Sequence, residues 1–224
     1  MGKRIDKKEL DEPDKLQLLF LRVRTFIAEH KTRIYAGAGI FLFVVVMICG
    51  WTLYRFTYER SAGKIHSKII ETAQKAESSE SRQAAIKEYK DLIARYPRSR
   101  ASLLARFQLG NLYFSGNEID EAVLAYQDFL KESPADSDLV TLAYNALGVC
   151  HELKNNFKES LEAFEKAMNT NTAASFEALN CINIARVHEA MNNPEKAVEF
   201  YRKALGKTAD PLTTLYLKRK IADL

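Results

Sequence analysis

The chain has 224 residues, 47% of them apolar, and its five prolines and nine glycines exclude collagen-like and low-complexity classes. Its net charge of +4 lies before residue 56, since residues 1–33 hold nine Lys and Arg against six Asp and Glu, and residues 56–224 balance at 23 against 23. Affinity for nucleic-acid phosphates requires clustered Lys and Arg, so this balance excludes a nucleic-acid-binding domain.

Residues 1–33 form a short basic tail ahead of a long apolar run. Within the tail, KLQLLFLRVRTFIAEHK, from Lys15 to Lys31, mixes apolar with basic residues. Such a segment either lies in the lipid headgroup layer as an interfacial helix or extends the following apolar helix into the cytosol. The sequence leaves both interpretations open.

Residues 34–54, from Ile34 to Tyr54, contain no charge and are bounded by Arg33 and Arg55. About 20 apolar residues span the hydrocarbon layer of a membrane, so the run predicts a single transmembrane helix. A cleaved signal has an apolar stretch of about 7–15 residues near the start of the chain, which this run does not match. Five basic residues lie within about 20 positions before the run and four after it, which favours a cytoplasmic N-terminus.

Residues 55–224 are expected to form a regular array of helical hairpins after a short linker. Four pairs of a small and an aromatic residue recur at 37, 38 and 37 residues: Ala85 with Tyr89, Ala122 with Tyr126, Ser160 with Phe164, and Ala197 with Tyr201. A fixed period of this length indicates a solenoid, whose units bury their apolar faces against their neighbours. Turns precede the last three pairs: Ser115-Gly116-Asn117, Lys154-Asn155-Asn156 and Asn192-Asn193-Pro194.

These signatures resemble the tetratricopeptide repeat, which sets Leu-Gly and Tyr on a first helix and Ala with an aromatic residue on a second. The best copy is LGNLYFSGNEIDEAVLAYQDFLKESP, with Leu109, Gly110, Tyr113, Ala122, Tyr126 and Pro134. The resemblance implies an all-α fold, in which the transmembrane helix is followed by a tetratricopeptide-repeat solenoid in residues 55–224. The expected repeats are about 66–99, 103–136, 141–174 and 178–211, closed by a capping helix at 212–223. Their spacing departs from the usual value of about 34 residues.

In this family, first-helix residues line an inner, concave surface that binds partners. Counted by repeat register, the candidate binding residues are Leu104, Phe107, Asn111, Phe114, Leu142, Asn145, Val149, Leu153, Leu179, Ile182 and Arg186, with Glu189 in the next place. Most are apolar and Arg186 is the one basic residue among them, so an amphipathic helix or an unfolded segment fits better than a peptide carboxylate. The C-terminal helix, with Leu212, Leu215, Tyr216 and Ile221, either caps the last repeat or folds into this groove.

The sequence offers no catalytic motif, metal-ligand spacing or phosphate-binding glycine loop. Cys150 and Cys181 lie six residues apart in repeat register and are expected to be buried free thiols. His151 and His188 occupy the place of Tyr113 and are interpreted as core residues rather than metal ligands. We therefore expect a protein that is not an enzyme and takes no cofactor, metal or small-molecule substrate.

The order of tail, apolar run and repeats resembles the YfgM-type family of ancillary SecYEG translocon subunits. TFIAEHKTRIYAGAGI resembles the start of that family, and DPLTTLYLKRKIADL resembles its end. The resemblance implies a single-pass bacterial inner-membrane protein with a cytoplasmic N-terminus and periplasmic repeats. Its implied partners are translocon subunits, chaperones or unfolded chains. Two alternatives remain open: a scaffold for cell-wall or outer-membrane assembly that binds folded partners, and an organelle receptor with cytosolic repeats.

Overall fold

The computed structural model describes residues 15–74, 78–134, 138–170 and 176–224, all of whose regular structure is α-helical. In chain order the helices are α1 (Lys15–Glu29), α2 (Lys31–Gln74), α3 (Ser79–Arg95), α4 (Arg100–Ser115), α5 (Ile119–Glu132), α6 (Asp138–Leu153), α7 (Phe157–Met168), α8 (Glu177–Ala190), α9 (Pro194–Leu205) and α10 (Pro211–Asp223). They belong to two compact units, the first ending at Thr57 and the second beginning at Tyr58.

The first unit contains α1 and the apolar part of α2, separated by a bend at His30. In this unit most of the large apolar side chains are exposed, from Leu18 in α1 to Phe56 in α2. Of the helices in the described part of the chain, α2 is the one that is long and apolar enough to cross a membrane, by length and composition.

The expected linker after the apolar run is absent, because α2 continues without interruption to Gln74. The reason is a buried stripe on its last turns. Ala62 and Ile69 belong to the same apolar cluster as residues of α3, and the ring of His66 lies 5.8 Å from that of Tyr89. The end of α2 therefore serves as the first helix of the first hairpin.

Three further hairpins follow, formed by α4 with α5, α6 with α7, and α8 with α9. Each turns on an asparagine with a left-handed backbone: Asn117 and Asn155 at φ 59° and Asn192 at φ 54°. The next residue after each asparagine donates its N–H to the carbonyl five positions earlier, at 2.9 Å in all three hairpins. This is the Schellman arrangement that closes a helix at its C-terminus. Its acceptors are the carbonyls of Tyr113, His151 and His188, so these three residues hold the same place in successive hairpins.

Close contacts between the two helices of a hairpin depend on the predicted small residues. A Cβ built on Gly110 would overlap the ring of Tyr126, and one on Gly148 would overlap the ring of Phe164. Tyr126, Phe164 and Tyr201 are at most 2% exposed. The aromatic ring of the second helix thus fills the space left by a missing side chain on the first.

The last helix, α10, packs on α9. Its buried residue is Leu217, with Ile221 partly buried beside it, whereas Leu212 and Leu215, both expected on its apolar face, are 78% and 68% exposed. Asp210 caps the start of the helix by accepting a hydrogen bond from the N–H of Thr213 at 2.7 Å.

Candidate partner-binding surface

The inner surface of the second unit is defined here as the side of α4, α6 and α8 that carries the predicted binding residues. These helices are the first members of successive hairpins, and α4 contacts α6 directly, as α6 contacts α8. The surface divides into an apolar part on α4 and α6 and a polar part on α6 and α8.

The apolar part, called the apolar patch below, consists of Leu104, Phe107, Phe114, Leu142 and Val149. Four of these side chains are half-buried, and Phe114 is 36% exposed. The ring of Phe107 lies 5.8 Å from that of Tyr126 and 5.4 Å from that of Phe129, so the hairpin core holds it in place. Asn111, between the phenylalanines, accepts a hydrogen bond from the Tyr126 hydroxyl at 2.8 Å. The patch is thus a pre-organised apolar surface with one polar group already paired.

The polar part begins with Asn145, which is 5% exposed and lies between α6 and α8. Its Nδ2 donates to Asn180 Oδ1 at 2.7 Å and to the carbonyl of Thr141 at 3.0 Å, and its Oδ1 accepts from Asn183 Nδ2 at 2.7 Å. Because these bonds join two hairpins, Asn145 connects the repeats instead of facing a partner.

Arg186 continues this network toward the surface. It donates to both carboxylate oxygens of Glu152, each at 2.7 Å, and to Asn183 Oδ1 at 3.2 Å. The hydrogen bonds to Glu152 raise the pKa of Arg186 above its already high ordinary value. The one basic residue among the predicted binding positions is therefore committed to an ion pair within the protein.

Glu189 is committed in the same way at the C-terminal end. It accepts from the Tyr201 hydroxyl at 2.8 Å and from Lys220 Nζ of α10 at 2.7 and 3.0 Å. Burial raises the pKa of this carboxyl, but the bonds from Lys220 and Tyr201 outweigh it and hold the pKa below its ordinary value. Through Lys220, α10 is tied to α8 as well as to α9. The contacts of α10 are thus with α8 and α9, whereas the apolar patch lies on α4 and α6.

Four residues that shape this surface are not among the predicted binding residues: Thr141, Glu152, Asn180 and Asn183. The repeat register contains a signal for Glu152, because Phe114, Glu152 and Glu189 follow one another at 38 and 37 residues. Leu153, which was assigned to that place, is 57% exposed at the end of α6. Leu179 is 42% exposed and Ile182 is half-buried on α8. The two buried asparagines follow no family pattern and emerge only from the packing of α6 on α8.

Other reactive side chains do not converge. Cys150 and Cys181 are buried and free, and burial raises the pKa of Cys150 to about 11. His188 stacks on Phe200, and its Nδ1 is buried without a partner among the described residues. Within the same residues, no group of three or more His, Cys, Asp or Glu side chains could hold a metal ion.

A separate cleft of about 480 Å³ lies between α5, α6 and α7. Tyr144, Leu147 and Leu130 form its apolar wall, and Glu162 and Lys166 at its rim pair with each other at 2.7 Å. Its charged groups have mixed signs, and the cleft therefore favours no class of ligand.

Comparison with known proteins identifies the fold. The sequence profile of the tetratricopeptide repeat-like domain family matches residues 24–224. No curated protein matches the chain significantly.

Among solved structures, a crystal structure of MamA aligns with a TM-score of 0.56 at 17% identity, covering 71% of this chain and 80% of the other. The structure of MamA from residue 41 to its end, from Desulfovibrio magneticus RS-1, aligns with a TM-score of 0.53 at 16% identity, covering 65% and 74%. The N-terminal domain of stress-induced protein-1 from C. elegans aligns with a TM-score of 0.46 at 18% identity, covering 53% and 94%. At such identities the likeness shows the fold alone.

Proposed function

The chain belongs to the tetratricopeptide repeat-like domain family, and we propose that it is a non-catalytic adaptor tethered to the bacterial inner membrane. In this proposal residues 34–54 span the membrane, the N-terminus is cytoplasmic and the repeats are periplasmic. The inner surface binds exported polypeptides or periplasmic chaperones beside the Sec translocon. The fold is a protein-interaction fold.

The observation that carries the proposal is the apolar patch on α4 and α6. Phe107 and Phe114 present aromatic surface beside Leu104, while the charged residues at the other end of the inner surface are paired internally. Burying apolar area of this kind on binding is worth roughly 25 cal/mol per Å² before the cost of association. A chain segment that exposes apolar side chains, as an unfolded polypeptide does, is the partner that this chemistry favours.

The exposed side chains of α2 support the tether. From Ile40 to Phe56 this helix exposes large apolar residues, among them Phe41, Phe43 and Trp51, each more than 60% exposed. A water-soluble protein rarely exposes so large an apolar surface, whereas a lipid bilayer requires it. Trp51 and Tyr54 lie toward one end of the uncharged run, where aromatic residues anchor spanning helices at the membrane interface.

Photo-crosslinking tests the binding surface. A photoreactive residue at Phe114 samples the apolar patch, and one at Leu124, which is 66% exposed on the second helix α5, is the matched control. We expect crosslinks to unfolded or newly exported chains from position 114 and none from position 124. A single folded partner at position 114 would instead support the scaffold interpretation, and equal labelling from both positions would contradict a dedicated patch.

Topology requires an introduced thiol, because Cys150 and Cys181 are buried and will not label in the folded protein. We expect Leu124→Cys, in a chain without Cys49, to react with a membrane-impermeant maleimide added to the periplasmic side of intact cells. Labelling only after the inner membrane is opened would contradict the periplasmic location.

A further inference from the structure

We propose that α1 is a lipid-binding helix that lies in the anionic headgroup layer of the cytoplasmic leaflet. The inference rests on the proposed membrane tether and adds a second, electrostatic contact with the same bilayer. It concerns a segment that plays no part in the repeat array, since α1 belongs to the first unit of the chain.

Five of the seven exposed large apolar side chains of α1 share one face, while Leu18 and Leu21, 49% and 52% exposed, lie on the other side near Thr25. Leu19, Phe20, Val23, Phe26 and Ile27 recur at the spacing of one helical face and are 64%, 71%, 50%, 59% and 45% exposed. A face of this kind, about a third of the circumference, is the part of an interfacial helix that enters the boundary between headgroups and acyl chains.

Charge selects the occupant of this face. At about 100° per residue, Arg22 and Arg24 fall on opposite flanks of the apolar side, where long basic side chains reach headgroup phosphates while their stems stay in the apolar layer. Between residues 15 and 33 there are five Lys and Arg and a single acid, Glu29. Each basic residue near an anionic membrane surface adds to the attraction between helix and headgroups. A neutral apolar protein partner would gain nothing from this arrangement.

Position along the chain brings the helix to the headgroup layer. α1 ends at Glu29 and α2 begins at Lys31, three positions before the uncharged run starts at Ile34. The junction at His30 is held by contacts with Phe26: the His30 N–H donates to the Phe26 carbonyl at 3.1 Å, and the His30 ring stacks on that of Phe26 at 4.6 Å with Nδ1 3.2 Å from the same carbonyl oxygen. At 1.5 Å per residue the 15 residues of α1 are about 22 Å long, and in this proposal that length lies along the interface next to the start of α2.

Spin-label accessibility on the full chain tests the proposal. The three native cysteines are replaced, and a label is placed at Val23→Cys, at the centre of the apolar face, or at Thr25→Cys, on the opposite side. The chain is reconstituted in vesicles of phosphatidylcholine with phosphatidylglycerol. We expect the Val23 label to collide with oxygen and to be shielded from a water-soluble nickel complex, and the Thr25 label to show the reverse.

The role of charge is tested with a double variant that lacks both arginines and, separately, with a neutral bilayer. We expect Arg22→Gln with Arg24→Gln to lose most of the difference between the two label positions, and pure phosphatidylcholine to produce the same loss. Equal access of nickel to both labels in anionic vesicles would overturn the proposal. Shielding of Val23 that persists without the arginines and without anionic lipid would also overturn it, since the apolar face would then be covered without any contribution from anionic headgroups.

A third label, at Val45→Cys, separates this inference from the proposed tether. Oxygen access at Val45 with nickel excluded shows that the tether stands, and failure at Val23 then overturns the α1 proposal alone. Nickel access at Val45 would overturn both.

Discussion

At the scale of single residues, Gly148 has no room for a side chain. Its missing side chain is replaced by the ring of Phe164, which is fully buried. We expect Gly148→Ala to lower the free energy of unfolding by about 1–3 kcal/mol, because the added methyl must displace that ring. Urea unfolding of the detergent-solubilised chain measures the change.

Gly63 is the control for this substitution. It lies inside α2 with no atom near the place of a Cβ, so Gly63→Ala should raise stability by about 0.5–1 kcal/mol through helix propensity. Equal effects of the two substitutions would show that the contact between Gly148 and Phe164 does not constrain the hairpin.

Asn155 tests the left-handed turns. Its φ of 59° strains any residue with a Cβ, and asparagine tolerates it better than most. We expect Asn155→Ala to cost about 1–2 kcal/mol, and Asn155→Gly to be neutral or stabilising. Thermal unfolding of the two variants side by side gives the result, and a larger loss from glycine than from alanine would contradict the backbone argument.

The glycines that face aromatic rings and the asparagines of the turns were predictable from the sequence because local sterics dictate them. A small residue opposite an aromatic one, and an asparagine before each second helix, follow from backbone geometry alone. Asn145 was predicted to face a partner, yet it is buried against Asn180 and Asn183. Its environment depends on residues 35 and 38 positions away, and no local pattern reports them.

At the scale of elements, α2 shows where composition misleads. Residues 55–65, between the apolar run and the first expected repeat, mix charges with a glycine, and a short linker is expected there. They remain helical because Ala62, His66 and Ile69 recur on one face and are buried. The hydroxyl of Tyr58 accepts from the N–H of Arg98, and Glu59 accepts from the N–H of Arg100 at 3.0 Å. These acceptors satisfy donors before and at the start of α4, where a carboxylate also complements the helix dipole.

The capping helix α10 is held chiefly by one apolar side chain. Leu217 is fully buried in the cluster with Tyr201 and Ala204, whereas Leu215 two positions earlier is 68% exposed. We expect Leu217→Ala to cost about 2–5 kcal/mol and to increase amide exchange in α9 before that in α5. Exchange monitored by mass spectrometry resolves the order of the helices.

Leu215→Ala provides the comparison and should change stability by no more than about 0.5 kcal/mol. Loss of protection that begins in α5 with Leu217→Ala would contradict a local role of α10. Terminal repeats depend on such caps because each hairpin contacts only its neighbours.

At the scale of the whole molecule, the repeat architecture followed from period and signature, whereas the division of the inner surface did not. Eleven positions were assigned to one partner surface by register, but internal pairs already occupy part of it, as the pairing of Arg186 with Glu152 shows. Ion pairs between neighbouring hairpins depend on the exact approach of α6 to α8, which the sequence does not determine. Partner binding is therefore expected to concentrate on α4 and α6.

The stability of the second unit should decrease as the pH falls, because two of its histidines are buried. Burial lowers the pKa of His66, and burial followed by repulsion from Lys196 lowers that of His188, with Glu165 and Glu199 acting in the opposite direction. Since the folded pKa values lie below the ordinary value of about 6.5, the unfolded chain binds more protons in this range. The stability contribution is complete above about pH 6.5 and is lost as the pH falls through the lowered values.

Urea midpoints measured between neutral and mildly acidic pH should show a smaller decrease in His188→Gln than in the unmodified chain. An unchanged pH dependence in a variant that also carries His66→Gln would assign the acid sensitivity to carboxylates such as Glu189.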